Sequence, residues 1–588
     1  MNKFTGQIER ATRLCAVLAT VVFMSSALAY LYLDRVNVTR LDFWLIYDTC
    51  LTRSWLKSAL LKYTSHSLFF PSFIWLADFH FFHGNQELLA FVGITLLCSS
   101  VALLLIPIWR DKMLELNGKI AATLILIVGN FWMGRSFVIA YGGFNCIYSL
   151  MMCGVALAFI WVPAIQTDSP RFWLAASLVI VGGFIASFSF SGGFACWPTL
   201  LLLAWCLRLP RRTFVLLVGA AFVAVVLFVM MPYRGAPLHA ASEPTISSRV
   251  LVQLEWLCQL VGTPVSYAAA AWYTRSSKLA ASPLLSLWCG AAGLSLAGLV
   301  VFPKIVQRNL DKGRLELMGL ALLSFSLFAI ILVVIGRATL FRLDPGRISA
   351  TWYFFWSALF WAGLLMLTIH YCESRKWLGW PALLGAVAIP IFAFPSHYQE
   401  GVRYRYIRFS AERAATSLIN GACDAEKVKI LFRSPDHVYH VAAQLRERRL
   451  DMFASGLQDW IGLRYTTLFN GHQRAEGLKG SCRVQTLVRC DNGDVAARVV
   501  GWARRHKGQA PQTLVIVDPN GVICGVARST STNKCVNTVF FGNRFINSPF
   551  LGYIRNYDAR LQYSVHSADD KTVSIEVIPV QAQQSATR

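Results

Sequence analysis

Long apolar runs recur along the first two-thirds of this chain, and nothing constrains its folding more. A helix needs about 20 apolar residues to cross the hydrocarbon core of a bilayer. Runs of that length lie near 13–33, 86–108, 120–141, 144–163, 172–190, 193–209, 213–232, 283–302, 316–336, 351–371 and 378–394. About 11 transmembrane helices are therefore expected. The first run lacks a small-residue cleavage site and reads as a retained span, not a removed signal peptide. The stretch 250–273, "VLVQLEWLCQLVGTPVSYAAAAWY", carries Gln253, Glu255, Gln259 and Pro264 and reads as interfacial or re-entrant.

Composition agrees. Of 588 residues, 55% are hydrophobic and 15% charged, where a soluble domain carries about 25% charged residues. The net charge of +24 comes without a long basic run or a nucleic-acid motif, so membrane lipid is the expected partner and nucleic acid is not. Lys3, Arg10 and Arg13, then Arg110, Lys112 and Lys119, then Arg208, Arg211 and Arg212 all fall on one side of successive spans. Lys304, Arg308, Lys312 and Arg314, then Arg375 and Lys376, continue the pattern. That side is expected to be the cytoplasm, with the amino terminus inside and the carboxyl-terminal domain outside. A twelfth span at 250–273 would move 304–314 outside, against the rule.

Three parts follow. A transmembrane domain covers 1–395, with a long first outer loop at 34–85. A mixed α/β connector covers 396–480. In 481–588, short β-branched runs such as "TLVIV" and "TVSIEVIPV" are separated by the turn signals "DNGD" and "DPNG", which predicts a small all-β sandwich. Cys423, Cys482, Cys490, Cys524 and Cys535 fall in the exported part. An oxidising compartment permits disulfides there, with Cys482–Cys490 and Cys524–Cys535 as candidate pairs; spacing alone leaves the connectivity open.

The first outer loop holds "SHSLFFPSFIWLADFHFFHGNQE", Ser65 to Glu87. His80 and His83 share a helix face, but His66 lies fourteen residues before His80 and no carboxylate completes a metal set. Aromatic packing at the membrane surface accounts for most of this stretch. Just beyond the first span stand Asp34, Asp42 and Asp48. A carboxylate beside apolar residues can serve as a general base, because desolvation raises its pKa toward neutrality; a solvated helix cap is the bland alternative. Asp42, in "RLDFW", has Phe43 and Trp44 to exclude water, whereas Asp34 is expected to pair with Arg35.

Arg337, Arg342 and Arg347 lie in a short outer loop, against the positive-inside tendency. A lipid phosphate gives them a reason to be there, since guanidinium offers paired donors that match phosphate oxygens. Pairing with Asp344 or lipid headgroups is the alternative. Arg135 stands roughly 22 Å along the third span, at about 1.5 Å per residue, where a charge is costly unless functional or snorkelled to the surface.

Many spans, a long first outer loop with an acidic residue, and an exported terminal domain together resemble the GT-C superfamily of membrane glycosyltransferases. Three stretches resemble a bacterial branch with this layout. They are "YTSHSLFFPSFIWLADFHFFHGN", with His66, Pro71, Asp78, Gly84 and Asn85; "GRATLFRLDPGRISATWYFFWSALFW", with Arg337 and Arg347; and "VVGWARRHKGQAPQTLVIVDPNGVICGVARS". That branch has an acidic residue before the loop histidine and a basic one after it, whereas Ser65 and Ser67 flank His66 here.

The resemblance implies an inverting transferase in the bacterial inner membrane that moves a sugar from a polyprenyl-phosphate donor to a cell-envelope glycan such as O-antigen. Asp42 would be its base. Arg337, Arg347, Arg342, Arg135 and His66 would surround the donor phosphate. No cofactor is implied, and no ligand cluster calls for the divalent metal some members use. The rivals are an O-antigen ligase or polymerase with a lipid-pyrophosphate donor, and a lipid or polysaccharide transporter. The exported β-domain disfavours the first, and the lack of evident inverted repeats disfavours the second.

Overall fold

The structure, a computed structural model, describes residues 2–578 apart from 64–65, 166–170, 234–245, 275–279, 309, 311–312, 374–378, 470–477, 506–512, 530–547 and 569–574. Its first helices are α1 Asn2–Leu33, α2 Phe43–Thr52, α3 Trp55–Ala59, α4 Phe69–Phe81, α5 Glu87–Trp109, α6 Leu116–Phe131 and α7 Ser136–Ile139. There follow α8 Gly142–Trp161, α9 Phe172–Ser189, α10 Cys196–Cys206, α11 Arg211–Met230, α12 Ile246–Tyr273, α13 Pro283–Gln307 and α14 Arg314–Gly336. The last are α15 Ala338–Leu343, α16 Phe354–Glu373, α17 Gly379–Ile419, α18 Ala425–Val428, α19 Pro435–Glu447 and α20 Tyr465–Leu468.

Among the described residues, 10 helical segments are long and apolar enough to cross a membrane. The run expected at 193–209 matches the shorter apolar segment Ser191–Cys206. This is a polytopic helical membrane protein with an all-β domain at its end. The 250–273 stretch belongs to one continuous helix of 28 residues, α12, with Pro264 inside it, and α12 is not one of the ten. It lies along α13 at very close range. A Cβ on Gly262 would sit 1.9 Å from the Ser286 carbonyl oxygen, and one on Gly290 1.7 Å from that of Cys258. Small residues at the crossing let backbones approach where lipid removes the hydrophobic drive for helix association.

Two compact units divide the chain. The first holds Met1–Tyr32, Trp55–Trp75 and Leu89–Tyr404; the second holds Leu33–Ser54, Leu76–Leu88 and Arg405–Arg588. The boundary expected near 395 falls inside α17, which is unbroken from Gly379 to Ile419. The connector is likewise not a body of its own, because it shares the second unit with Leu33–Ser54 and Leu76–Leu88. Leu41 N–H donates to the Leu431 carbonyl at 2.7 Å, and Asp451 N–H to that of His83 at 2.7 Å.

The first unit contains a two-residue hairpin, β1 Lys62–Tyr63 with β2 His66–Ser67. The second contains β3 Leu478–Arg489, β4 Val495–Arg505, β5 Thr513–Val517, β6 Ile523–Ser529, β7 Ser548–Ile554, β8 Ser564–Ser567 and β9 Ile575–Ile578. The expected hairpin turns are present. "DNGD" joins β3 to β4 with Gly493 at φ +89°, and "DPNG" joins β5 to β6 with Gly521 at φ +76°. Both glycines occupy the left-handed region that hairpin turns demand. The sandwich expectation is corrected: the strands close as a barrel in the order β3-β4-β7-β6-β5-β8-β9. Closure comes from a parallel pairing of β9 with β3, Cys482 opposite Val577. No local pattern encodes a pairing between the two ends of a domain. Val499, Leu514, Ile516, Phe550 and Val565 fill the interior.

The barrel also corrects one disulfide. Cys482 lies in β3 and Cys490 just beyond its end, both as free thiols. Eight positions of extended chain span roughly 26 Å, far more than a disulfide bridges. The Cys524–Cys535 pair lies outside the described residues.

Candidate functional site

In the first unit, two arginines gather with no carboxylate partner among the described residues. Arg135 stands in the 3₁₀ turn Met133–Arg135, which breaks the third span between α6 and α7. It does not snorkel; its exposure is 0%. One guanidinium nitrogen donates to the Gly129 carbonyl, and the plane lies 4.5 Å over the Phe355 ring. Its Nε and Nη2 have no hydrogen-bond partner among the described residues. Arg337, half-buried where α14 ends, donates from Nη2 to His66 Nε2 at 3.2 Å. Among the described residues, no carboxylate pairs with either arginine.

Aromatic rings join the two. His66 stacks on Phe190 at 4.3 Å, Phe190 meets Tyr148 at 4.7 Å, and Tyr148 meets Phe355 at 4.9 Å. Tyr148 lies within electrostatic reach of both Arg135 and Arg337. His66 Nδ1 meets the Ser191 hydroxyl. Burial first, and the Arg337 charge second, lower the His66 pKa to about 3, so this imidazole is neutral at physiological pH. The histidine, Arg337 and Arg135 of the sequence reading thus share one patch. Arg342 and Arg347 are exposed, and Arg347 pairs with Asp344 at 2.9 Å. Tyr148 and Ser191 were not anticipated, because neither carries a motif and Ser191 lies 125 positions from His66.

The acidic candidates lie in the second unit. Asp42 is exposed at the start of α2, after Leu41 at φ 57°. Phe43 and Trp44 turn into the core, at 4% and 0% exposure, so they do not shield Asp42 as expected. Asp48 is half-buried in α2. Asp34 does not rely on Arg35, which reaches Glu87 at 3.1 Å. Both Asp34 oxygens instead accept from Arg405 Nε, at 3.0 and 2.9 Å, with Arg408 at 3.8 Å. Burial still leaves its pKa raised, against the lowering effect of Arg405.

Two further acids, Asp78 and Asp451, are buried at 0% and 3% exposure. Asp78 Oδ2 accepts from Gln86 N–H at 3.4 Å, and Asp451 Oδ2 from Thr39 N–H at 3.2 Å. The Gln86 amide in turn meets the Tyr47 hydroxyl. Burial raises both carboxyls to about 7; the Asp451 charge adds to the rise at Asp78, while hydrogen bonds from Thr39 and the charge of Arg528 act in the other direction on Asp451. Asp78 belonged to the resemblance, but its partner Asp451 sits far along the chain. His80 and His83, on α4 and in the turn after it, are exposed.

No family model and no curated protein sequence matches this chain. Among solved structures, it is similar to the archaeal oligosaccharyltransferase AglB from Archaeoglobus fulgidus, determined with an inhibitory peptide and a dolichol-phosphate. The TM-score is 0.37 and the identity 11%, over 73% of this chain and 63% of the neighbour. The chain thus spans less than two-thirds of that protein's length.

Proposed function

We propose that this protein is a membrane glycosyltransferase that takes a sugar from a polyprenyl-phosphate donor and transfers it to an envelope glycan on the outer face of a bacterial inner membrane. One observation carries this reading: Arg135 and Arg337 flank Tyr148, with no carboxylate among the described residues to neutralise them. A guanidinium does not escape burial by losing its proton, and an unpaired buried charge is costly, so an anion belongs beside these residues. A phosphate ester fits the paired donors. Support for a lipid anchor comes from an apolar cavity of about 110 Å³ in the same unit, lined by Val128, Trp132, Pro264, Trp361, Ile389 and Phe392. Trp132 is three residues from Arg135.

In this scheme Arg337 and Arg135 hold the donor phosphate and stabilise it as it leaves. Arg342 and Arg347, exposed in the loop beyond α14, attract the donor. Asp42 removes the proton from the acceptor hydroxyl as it attacks the anomeric carbon, with inversion there. Asp42 keeps this role on exposure, because a base must reach its substrate, whereas Asp34 is held by Arg405 and Asp78 is enclosed. The basic residues expected on the other side of the spans support an outer location for this chemistry.

The test is sugar transfer from a polyprenyl-phosphate donor in purified membranes, at matched protein levels. Asp42→Asn removes the base and keeps the shape, so transfer is expected to fall by about 10²–10⁴. Wild-type transfer by Asp42→Asn would eliminate this carboxylate as the base.

A further inference from the structure

The hydrogen bonds around His66 assign its tautomer without reference to any ligand. Arg337 Nη2 can only donate, so His66 Nε2 must accept. The ring proton is then on Nδ1, and it donates to the Ser191 hydroxyl oxygen. Ser191 therefore accepts through its oxygen, and its own hydroxyl proton has no acceptor among the described residues. Ser191 opens the 3₁₀ turn Ser191–Ala195, between α9 and α10. A side chain at the next position is excluded, because a Cβ on Gly192 would lie 2.5 Å from the Trp356 ring. Trp356 also stacks on Phe190, whose ring stacks in turn on His66. The chain Arg337–His66–Ser191 is thus fixed in direction, and it leaves Ser191 O–H as an unused donor beside the unused donors Arg135 Nε and Arg135 Nη2.

We propose that Ser191 donates its hydroxyl proton to the phosphate group bound by the two arginines, and that His66 is a positioning residue that fixes Ser191 in this role. The inference rests on the reading of the patch as a phosphate site. His66 takes no part as acid or base, because its ring stays neutral throughout the physiological range. His66 then contributes no titration of its own here. Binding of a phosphate monoester such as farnesyl phosphate should strengthen with pH only as it loses its second proton, near pH 6.

The experiment measures the affinity of the full-length protein in nanodiscs for farnesyl phosphate, with farnesol and inorganic phosphate as controls. Wild type should bind farnesyl phosphate more tightly than either control. Preference for inorganic phosphate would make the patch a free-anion site, and equal binding of farnesol would remove the phosphate reading and this inference with it. With selectivity present, Ser191→Ala and His66→Ala should each weaken binding about tenfold. The double variant should be little weaker than either single one, since the two residues act as a unit. His66→Gln should stay within about threefold of wild type, because an amide can accept from Arg337 and donate to Ser191. A His66 that only filled space on Phe190 would give a Gln variant as weak as the Ala variant. That result, or wild-type affinity in Ser191→Ala, overturns the inference while leaving the phosphate site standing. Should His66→Ala fail to fold, Ser191→Ala decides alone.

Discussion

The two units resolve buried charge in opposite ways. In the first, buried Arg135 and half-buried Arg337 pair with no carboxylate among the described residues; in the second, Asp78 and Asp451 are buried with little cationic help. The acids have an exit, since a carboxyl can take up a proton, and burial drives both toward neutrality near pH 7. The arginines have none. An uncompensated buried guanidinium therefore points to a ligand, whereas an uncompensated buried carboxyl pair points to a bound proton. Asp34 shows the third solution, a direct pair with Arg405.

The largest expected effect breaks the first half of this contrast. Arg135→Met fills the volume with an apolar side chain and removes the unpaired charge. Transfer from the lipid donor should fall by about 10²–10³, the cost of losing one charge-stabilising donor. The melting temperature of the ligand-free protein should nonetheless rise, because replacing an uncompensated buried ion by a well-packed apolar group is stabilising. Falling activity together with falling stability would mean that Arg135 is a structural residue.

The acid pair is sharpened by pH. Asp78 and Asp451 hold protons in the folded state that the unfolded chain loses near pH 4. Their contribution is fully present below about pH 4 and is lost as pH rises toward 7. The charged and titratable groups facing them are Glu87, Tyr47 and Arg528. Asp78→Asn should flatten this slope and stabilise the second unit by on the order of 2 kcal/mol at pH 8. Chemical denaturation across pH 5 to 8 provides the check; an unchanged slope would show that the pair carries no proton.

The smallest effect concerns Arg347. Its partner Asp344 is as exposed as it is, at 49% and 53% side-chain exposure, and such pairs contribute about 0–1 kcal/mol. Arg347→Ala should leave the melting temperature unchanged and reduce donor use only a few-fold, with the deficit growing at low salt if its role is attraction. A loss equal to that of Arg337→Ala would place Arg347 on the phosphate itself.

What the sequence discloses follows the range of the interactions involved. The spans are legible because each is a local apolar run, and both barrel turns because "DNGD" and "DPNG" specify their own backbone. Arg337 and Arg135 stand out because charge is rare near spans. The partners of these groups are not legible. Asp34 meets Arg405 across 371 positions, Thr39 meets Asp451 across 412, and His66 meets Ser191 across 125. The neighbouring Arg35 was the natural partner for Asp34 from sequence, yet it faces Glu87. Phe43 and Trp44 likewise looked like a shield for Asp42, but a helix start sends adjacent side chains in different directions.

The most direct measurement is an experimental structure of the full-length protein in nanodiscs with farnesyl phosphate bound. The phosphate should lie within hydrogen-bond distance of Arg337, Arg135 and Ser191, with His66 still between Arg337 and Ser191. A headgroup lodged elsewhere, or a protein carboxylate closing on Arg135 in its place, would contradict the phosphate site.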